Sequence, residues 1–120
     1  MPTQLFDVRL RQTQTLAIMD LSGQVSRESD EALNRAYDDA IDGGAERVLL
    51  NFSQVDYINS TGIAVIVGLL ARARADGRPL AVCGLTSHYR TIFEITRLAD
   101  FMQVFPDEES ALANAGEPVG

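Results

Sequence analysis

Ser60, a hydroxyl that could serve as a nucleophile, lies in the polar run Asn59-Ser60-Thr61-Gly62. The run is wedged between Val48, Leu49, Leu50 and Phe52 on one side and the apolar stretch from Ile63 to Leu70 on the other. A catalytic serine needs a base to take its proton, usually a histidine oriented by a carboxylate. The chain has one histidine, His88, and Ile58 and Gly62 flank Ser60 where the nucleophile elbow requires a glycine on both sides. Hydrolase chemistry is therefore disfavoured. Zinc fares no better, because one histidine and one cysteine without carboxylates at ligand spacing do not make a ligand set. A phosphate-cradling loop needs more glycines than Gly62 alone, although the amides of a helix start do favour anions. Asn59-Ser60-Thr61 and Asn51-Phe52-Ser53 both match the glycan acceptor pattern, which carries little weight without an export signal. Two readings of the polar run stay open, a helix cap and a regulatory switch. They are compatible. Asn59 or Ser60 would cap the helix, Thr61 would support its first turn and Gly62 would permit close packing. One cap oxygen suffices, however, and three side chains crowd this turn.

The totals limit the partners. At 120 residues the chain is expected to form one domain, and 46% hydrophobic with 22% charged residues argues against disorder. The net charge is −7 and all ten basic residues are arginines, with no basic stripe. Nucleic acid is thus not an expected partner, whereas a basic protein surface would suit the acidic balance. No stretch approaches the ~20 apolar residues of a membrane span. The N-terminus MPTQLFDVRLRQ lacks a signal-peptide pattern, and the single Cys83 permits no internal disulfide. A cytoplasmic location without membrane insertion is expected, with no metal or cofactor.

The elements that must position Ser60 can be read from periodicity. Leu5–Arg11 alternates, with Phe6, Val8 and Leu10 on one face, and Leu16–Leu21 follows as a second strand antiparallel to it. Ser22-Gly23 breaks that strand, and Ser26 is the expected N-cap of a first helix carrying Ala32, Leu33, Ala36, Tyr37, Ala40 and Ile41. Gly43-Gly44 stops it, and Arg47–Phe52 reads as a strand buried on both faces. A helix from about Thr61 to Ala75 would bury Ile63, Ile66, Val67, Leu70 and Ala73. Leu80–Cys83 is a further buried strand. Ser87 would cap a third helix carrying Ile92, Phe93 and Ile95. A strand near Phe101–Val104 and a helix over Asp107–Asn114 complete the domain, and the tail Gly116–Gly120 is expected to be frayed. Alternating helices and strands predict an α/β fold, partly parallel with an antiparallel N-terminal hairpin.

The segment RVLLNFSQVDYINSTGIAVIVGLLARARADGRPLAVCGLTSHYRTIFEITRLADFMQVFPDEESALA closely resembles the bacterial anti-sigma factor antagonists of the STAS domain family. The resemblance extends more weakly to the N-terminal hairpin and LSGQVS. Its specific part is a buried strand, a spacer, an aspartate-serine-serine/threonine-glycine signature, an apolar helix and a basic-Gly-x-x-Leu strand entry. It implies a single STAS domain over residues 1–115, with a mixed sheet of four to five strands and about four helices packed largely on one face. It further implies partner switching without enzymatic activity. The unphosphorylated protein binds an anti-sigma factor that is also a serine kinase, and so frees the sigma factor for transcription. Phosphorylation of Ser60 ends the binding and a phosphatase restores it. By the same resemblance Asn59, Thr61, Gly62, Gly23 and Ser26 would border the docking surface. Two positions depart from the family pattern: Asn59 replaces its aspartate, and Ser26 replaces an acidic residue in a glycine-x-x-aspartate pattern. Both changes remove a carboxylate near the proposed switch. They leave open an alternative, a STAS accessory module of a lipid- or solute-transport complex or a small-ligand or nucleotide sensor.

Overall fold

The apolar alternation of the N-terminal segment and the continuous apolar runs further along meet in one sheet. The computed structural model describes residues 6–13 and 15–115. The expected strand start at Leu5 and the tail Gly116–Gly120 lie outside the described residues. Among the described residues the order is β1 (Asp7–Thr13), β2 (Leu16–Val25), a 3-10 turn (Arg27–Ser29), α1 (Asp30–Asp42), β3 (Arg47–Ile58), α2 (Ser60–Ala75), β4 (Leu80–Cys83), α3 (Ser87–Ile95), a second 3-10 turn (Leu98–Asp100), β5 (Gln103–Phe105) and α4 (Glu108–Ala115). The sheet has five strands in the order β1-β2-β3-β4-β5. β1 pairs with β2 antiparallel, and every later neighbour is parallel. This is the mixed α/β architecture expected from the sequence.

Strand alternation divides the apolar residues between two faces. Met19, Leu21, Val48, Leu50, Phe52 and Val82 meet α1, α2 and α3 in the main core, together with Leu33, Tyr37, Ile66, Leu69 and Phe93. Ile18, Leu49 and Cys83 point to the opposite face, where Ala111 of α4 covers them. Three helices thus share one face and α4 sits alone on the other. The parallel strands read as near-continuous apolar runs because both of their faces are covered.

Two helix faces differ from expectation. Val67 is 42% exposed and Ile95 is 73% exposed. The buried positions of α2 are Gly62, Val65, Ile66, Leu69, Leu70 and Ala73, so its stripe is rotated by about one position from the one read off the sequence. A largely apolar helix offers two near-equivalent stripes, and only the packed neighbours choose between them. Strand ends differ as well. β2 runs to Val25 and β3 to Ile58, beyond the expected ends at Leu21 and Phe52. Gly23 does not end β2: it is buried there with φ 87°, beside a register shift against β3. A left-handed glycine inside a strand accommodates a bulge, and pairing resumes at Gln24–Tyr57 and Val25–Ile58. β4 accompanies β3 only as far as Asn51–Cys83. The second half of β3 therefore projects as an arm beside β2, and this arm carries the polar run.

Candidate functional site

Asn59 caps α2. Its backbone is extended (φ −89°, ψ 179°) and its Oδ1 accepts from the Gly62 N–H at 2.8 Å. The same Oδ1 accepts from the Thr61 hydroxyl at 2.8 Å, and the Thr61 oxygen accepts from the backbone N–H of Arg27 at 3.2 Å. Thr61 thereby ties the first turn of α2 to the 3-10 turn after β2. Asn59 N–H also donates to the Val25 carbonyl at 3.2 Å. Of the crowded polar side chains, one is the cap and a second is a tie between turns. Ser60 is left. It is exposed at the first position of α2, and among the described residues its hydroxyl has no side-chain partner.

Gly62 is buried against the end of β2, where a Cβ would lie 2.1 Å from the Val25 carbonyl oxygen and 2.6 Å from its carbon. Only glycine lets the helix start come this close. Ser26 caps the 3-10 turn rather than α1 itself: its Oγ accepts from the Glu28 N–H at 3.3 Å. Ser29 is fully buried, accepts from the Ser26 N–H at 3.0 Å and donates to the Gln24 carbonyl at 3.4 Å. No carboxylate enters these hydrogen bonds.

The structure therefore gathers Asn59, Ser60, Thr61, Gly62 and Ser26 at one corner, with Ser60 exposed there. Gly23 lies deeper in β2 and contributes the bulge rather than an exposed contact. Two further residues support the corner that sequence reasoning missed. Arg27 supplies a backbone N–H, which carries no side-chain signal. Tyr89 of α3, 8% exposed, accepts from the Ile58 N–H at 2.9 Å where β3 has outrun β4. The last strand residue before the cap is thus held by α3, and the cap residue itself by β2. α3 is capped by Thr86, whose Oγ1 accepts from Tyr89 N–H at 3.3 Å, not by Ser87 as expected.

The chemistry on offer is that of a presented hydroxyl. His88 is exposed at the start of α3 and packs edge-on against Tyr89, with ring centroids 4.9 Å apart. Cys83 is fully buried, and that burial, reinforced by nearby carboxylates, pushes its thiol up to about 11. Its low thiolate content makes it a poor nucleophile at neutral pH. Among the described residues no helix is long and apolar enough to cross a membrane.

Comparison with known proteins agrees with this architecture. The STAS domain family model matches residues 7–111. BtrV of Bordetella bronchiseptica, whose name marks it provisionally as an anti-sigma factor antagonist, is 32% identical over 100 residues, covering 83% of this chain and 84% of BtrV. Among solved structures, an anti-sigma factor antagonist from Mycobacterium paratuberculosis superimposes with a TM-score of 0.79 at 14% identity, covering 94% of this chain and 96% of that one. The Bacillus cell fate determinant SpoIIAA in its phosphorylated form gives a TM-score of 0.70 at 18% identity, covering 91% and 99%. At such identities the structural likenesses speak for the fold. With the family model spanning both the sheet and the Ser60 corner, the chain belongs to the STAS domain family, among relatives named as anti-sigma factor antagonists.

Proposed function

We propose that this chain is a cytoplasmic anti-sigma factor antagonist that works by partner switching, with Ser60 as the phosphoacceptor. The observation that carries the reading is the division of labour in the turn: Asn59 and Thr61 are consumed in holding it, and among the described residues the Ser60 hydroxyl has no partner. The chain then acts as ligand and substrate of an anti-sigma factor serine kinase and contributes no catalytic residue of its own. A phosphatase would reverse the modification.

A phosphoserine adds about −1.5 to −2 charge. At the first position of α2 the helix dipole favours that charge, so the domain need not unfold to accept it. The consequence falls on the docked partner, which meets new charge and hydration at a corner braced by β2 and α3. Ser26, Asn59 and Thr61 would border the docking surface, while Gly62 and Gly23 shape it through the backbone.

The test is to incubate the protein with a candidate serine kinase from the same genome and ATP, and to follow intact mass. Addition of one phosphate to wild type and none to Ser60→Ala is expected. No added phosphate on wild type, or equal labelling of Ser60→Ala, would overturn the assignment. In binding, Ser60→Asp should weaken the kinase complex while Ser60→Ala keeps it.

The second reading, a STAS module serving a transport complex or sensing a small ligand or nucleotide, rests on Asn59 and Ser26, which leave the turn without the family's carboxylates. A kinase-independent partner recovered equally with wild type and Ser60→Asp would favour it.

A further inference from the structure

α4 is the least anchored helix of the fold. Ala111 is its one buried residue among those described, and Leu112 is half-buried against the cluster that Ala111 forms with Ile18, Leu49 and Cys83. The other helices bury Leu33, Tyr37, Ile66, Leu69 and Phe93. A cleft of about 30 Å³, lined by Leu16, Leu49, Ala81, Phe105 and Ala111 among others, remains between α4 and the sheet, so the contact is not fully packed. With 8 residues α4 is too short to persist alone.

What compensates is polar. Arg11 of β1 donates from Nη2 to Glu108 Oε1 at 2.5 Å and from Nη1 to Oε2 at 3.1 Å, while its Nε and Nη2 hold Asp20 of β2 at 2.5 and 2.9 Å. Asn51 of β3 donates to Asp20 Oδ1 at 3.0 Å and to Glu108 Oε1 at 3.3 Å. Glu108 is thus the post by which the sequence-distant N-terminal strands hold down the last helix. The link back to β5 is only Pro106 and Asp107, and the Asp107 carboxylate accepts from Ser110 N–H at 2.8 Å, capping α4 from the residue just before it.

We propose that α4 is a releasable strap, fastened chiefly by Glu108 on Arg11 and Asn51, and that Cys83 becomes accessible when it lifts. Strand alternation places Cys83 on the face that α4 covers, beside Ala81, Leu49 and Phe105. Elements with little buried apolar surface and solvent-facing polar anchors open locally, below the cost of global unfolding. Release would bare an apolar strip over β2–β5 on the sheet face opposite α2, and so away from the Ser60 corner.

Cys83 reports the opening directly. The probe is an aromatic disulfide, 5,5′-dithiobis(2-nitrobenzoate), used on the full chain. The Cys83 thiol loses its proton to solvent and the thiolate attacks one sulfur of the probe. The probe's S–S bond breaks, a protein–probe mixed disulfide forms and coloured thionitrobenzoate leaves. In wild type the reaction should be slow and nearly independent of urea well below the unfolding midpoint. Glu108→Ala should accelerate it roughly fivefold, the scale of losing an exposed but networked ion pair, with labelling still nearly independent of urea well below the midpoint. Ala111→Asp, which sets a charge against the sheet under α4, should accelerate it further. Wild-type labelling that rises with the full urea dependence of global unfolding, or labelling unmoved by Glu108→Ala, would overturn the strap. So would immediate labelling of the wild type at the rate of a free thiol.

Discussion

A Cβ built on Gly62 would lie 2.1 Å from the carbonyl oxygen of Val25. The start of α2 is thereby seated on the backbone of β2, and this contact sets the height at which Ser60 stands. Gly68, two turns further along α2, has nothing within 4 Å of a Cβ. The same substitution should therefore have opposite signs in one helix. Gly62→Ala should cost roughly 2–3 kcal/mol by forcing the two backbones apart. Gly68→Ala should gain up to about 1 kcal/mol from helix propensity. Urea unfolding of the two variants checks both; equal effects would mean that the β2–α2 contact yields easily.

Asn59 carries the cap and the Thr61 tie. Asn59→Ala should destabilise by about 1 kcal/mol, the usual cost of a lost N-cap. Asn59→Asp keeps an acceptor and adds a negative charge at the positive end of the dipole. It should gain roughly 0.3–1 kcal/mol at pH 7. A carboxyl stabilised there has a lowered native pKa, so the gain holds above its unfolded value and disappears as pH falls through the native one. Thermal unfolding at pH 7 and in acid tests the sign. If the family's aspartate assists phosphoryl transfer, the same variant should be phosphorylated faster than wild type in an intact-mass time course.

The Ile58 N–H relies on the Tyr89 hydroxyl. Tyr89→Phe keeps the ring packed but leaves a buried donor without an acceptor, at a cost of roughly 1–3 kcal/mol. Amide hydrogen exchange should locate the effect, with Ile58 and the first turn of α2 exchanging faster while the centre of β3 keeps its protection.

Arg11 holds the Asp20 carboxyl below the usual carboxylate range, chiefly through their direct hydrogen bonds. The native state then binds fewer protons than the unfolded chain between the two pKa values, so stability rises with pH across that window. Its contribution is present above the unfolded value, about 3.9, and is lost as pH falls through the lower native one. Arg11→Met should start less stable at neutral pH and lose less on acidification, which chemical denaturation at a series of pH values would reveal.

The alternation of Val8 and Leu10, the stop at Gly43-Gly44 and the helix beginning after Asn59 were legible because each is written within a few neighbouring residues. The Ser60 corner was legible as a candidate for the same reason, since a cap cluster is a local pattern. The stripes of α2 and α3 were less so. Val67 and Ile95 satisfy a helical period yet face solvent, because periodicity in a largely apolar helix does not say which side meets the sheet. The length of β2 was hidden by Ser22-Gly23, which reads as a break, and that of β3 by the end of its apolar run at Phe52, beyond which Ser53 and Gln54 lie exposed on the arm past β4.

By itself the sequence determined the order of elements, the mixed sheet they form and the helix start that displays Asn59, Ser60 and Thr61. Tertiary structure alone decided which of those hydroxyls is free. Thr61 is engaged by a backbone donor 34 residues away and the strand before it by a tyrosine 31 residues away, partners set by sheet register and helix docking. The same holds for α4, whose fastening to β1 spans 97 residues. Short-range hydrogen bonds leave a mark in local spacing; long-range ones exist only once the sheet has brought their ends together.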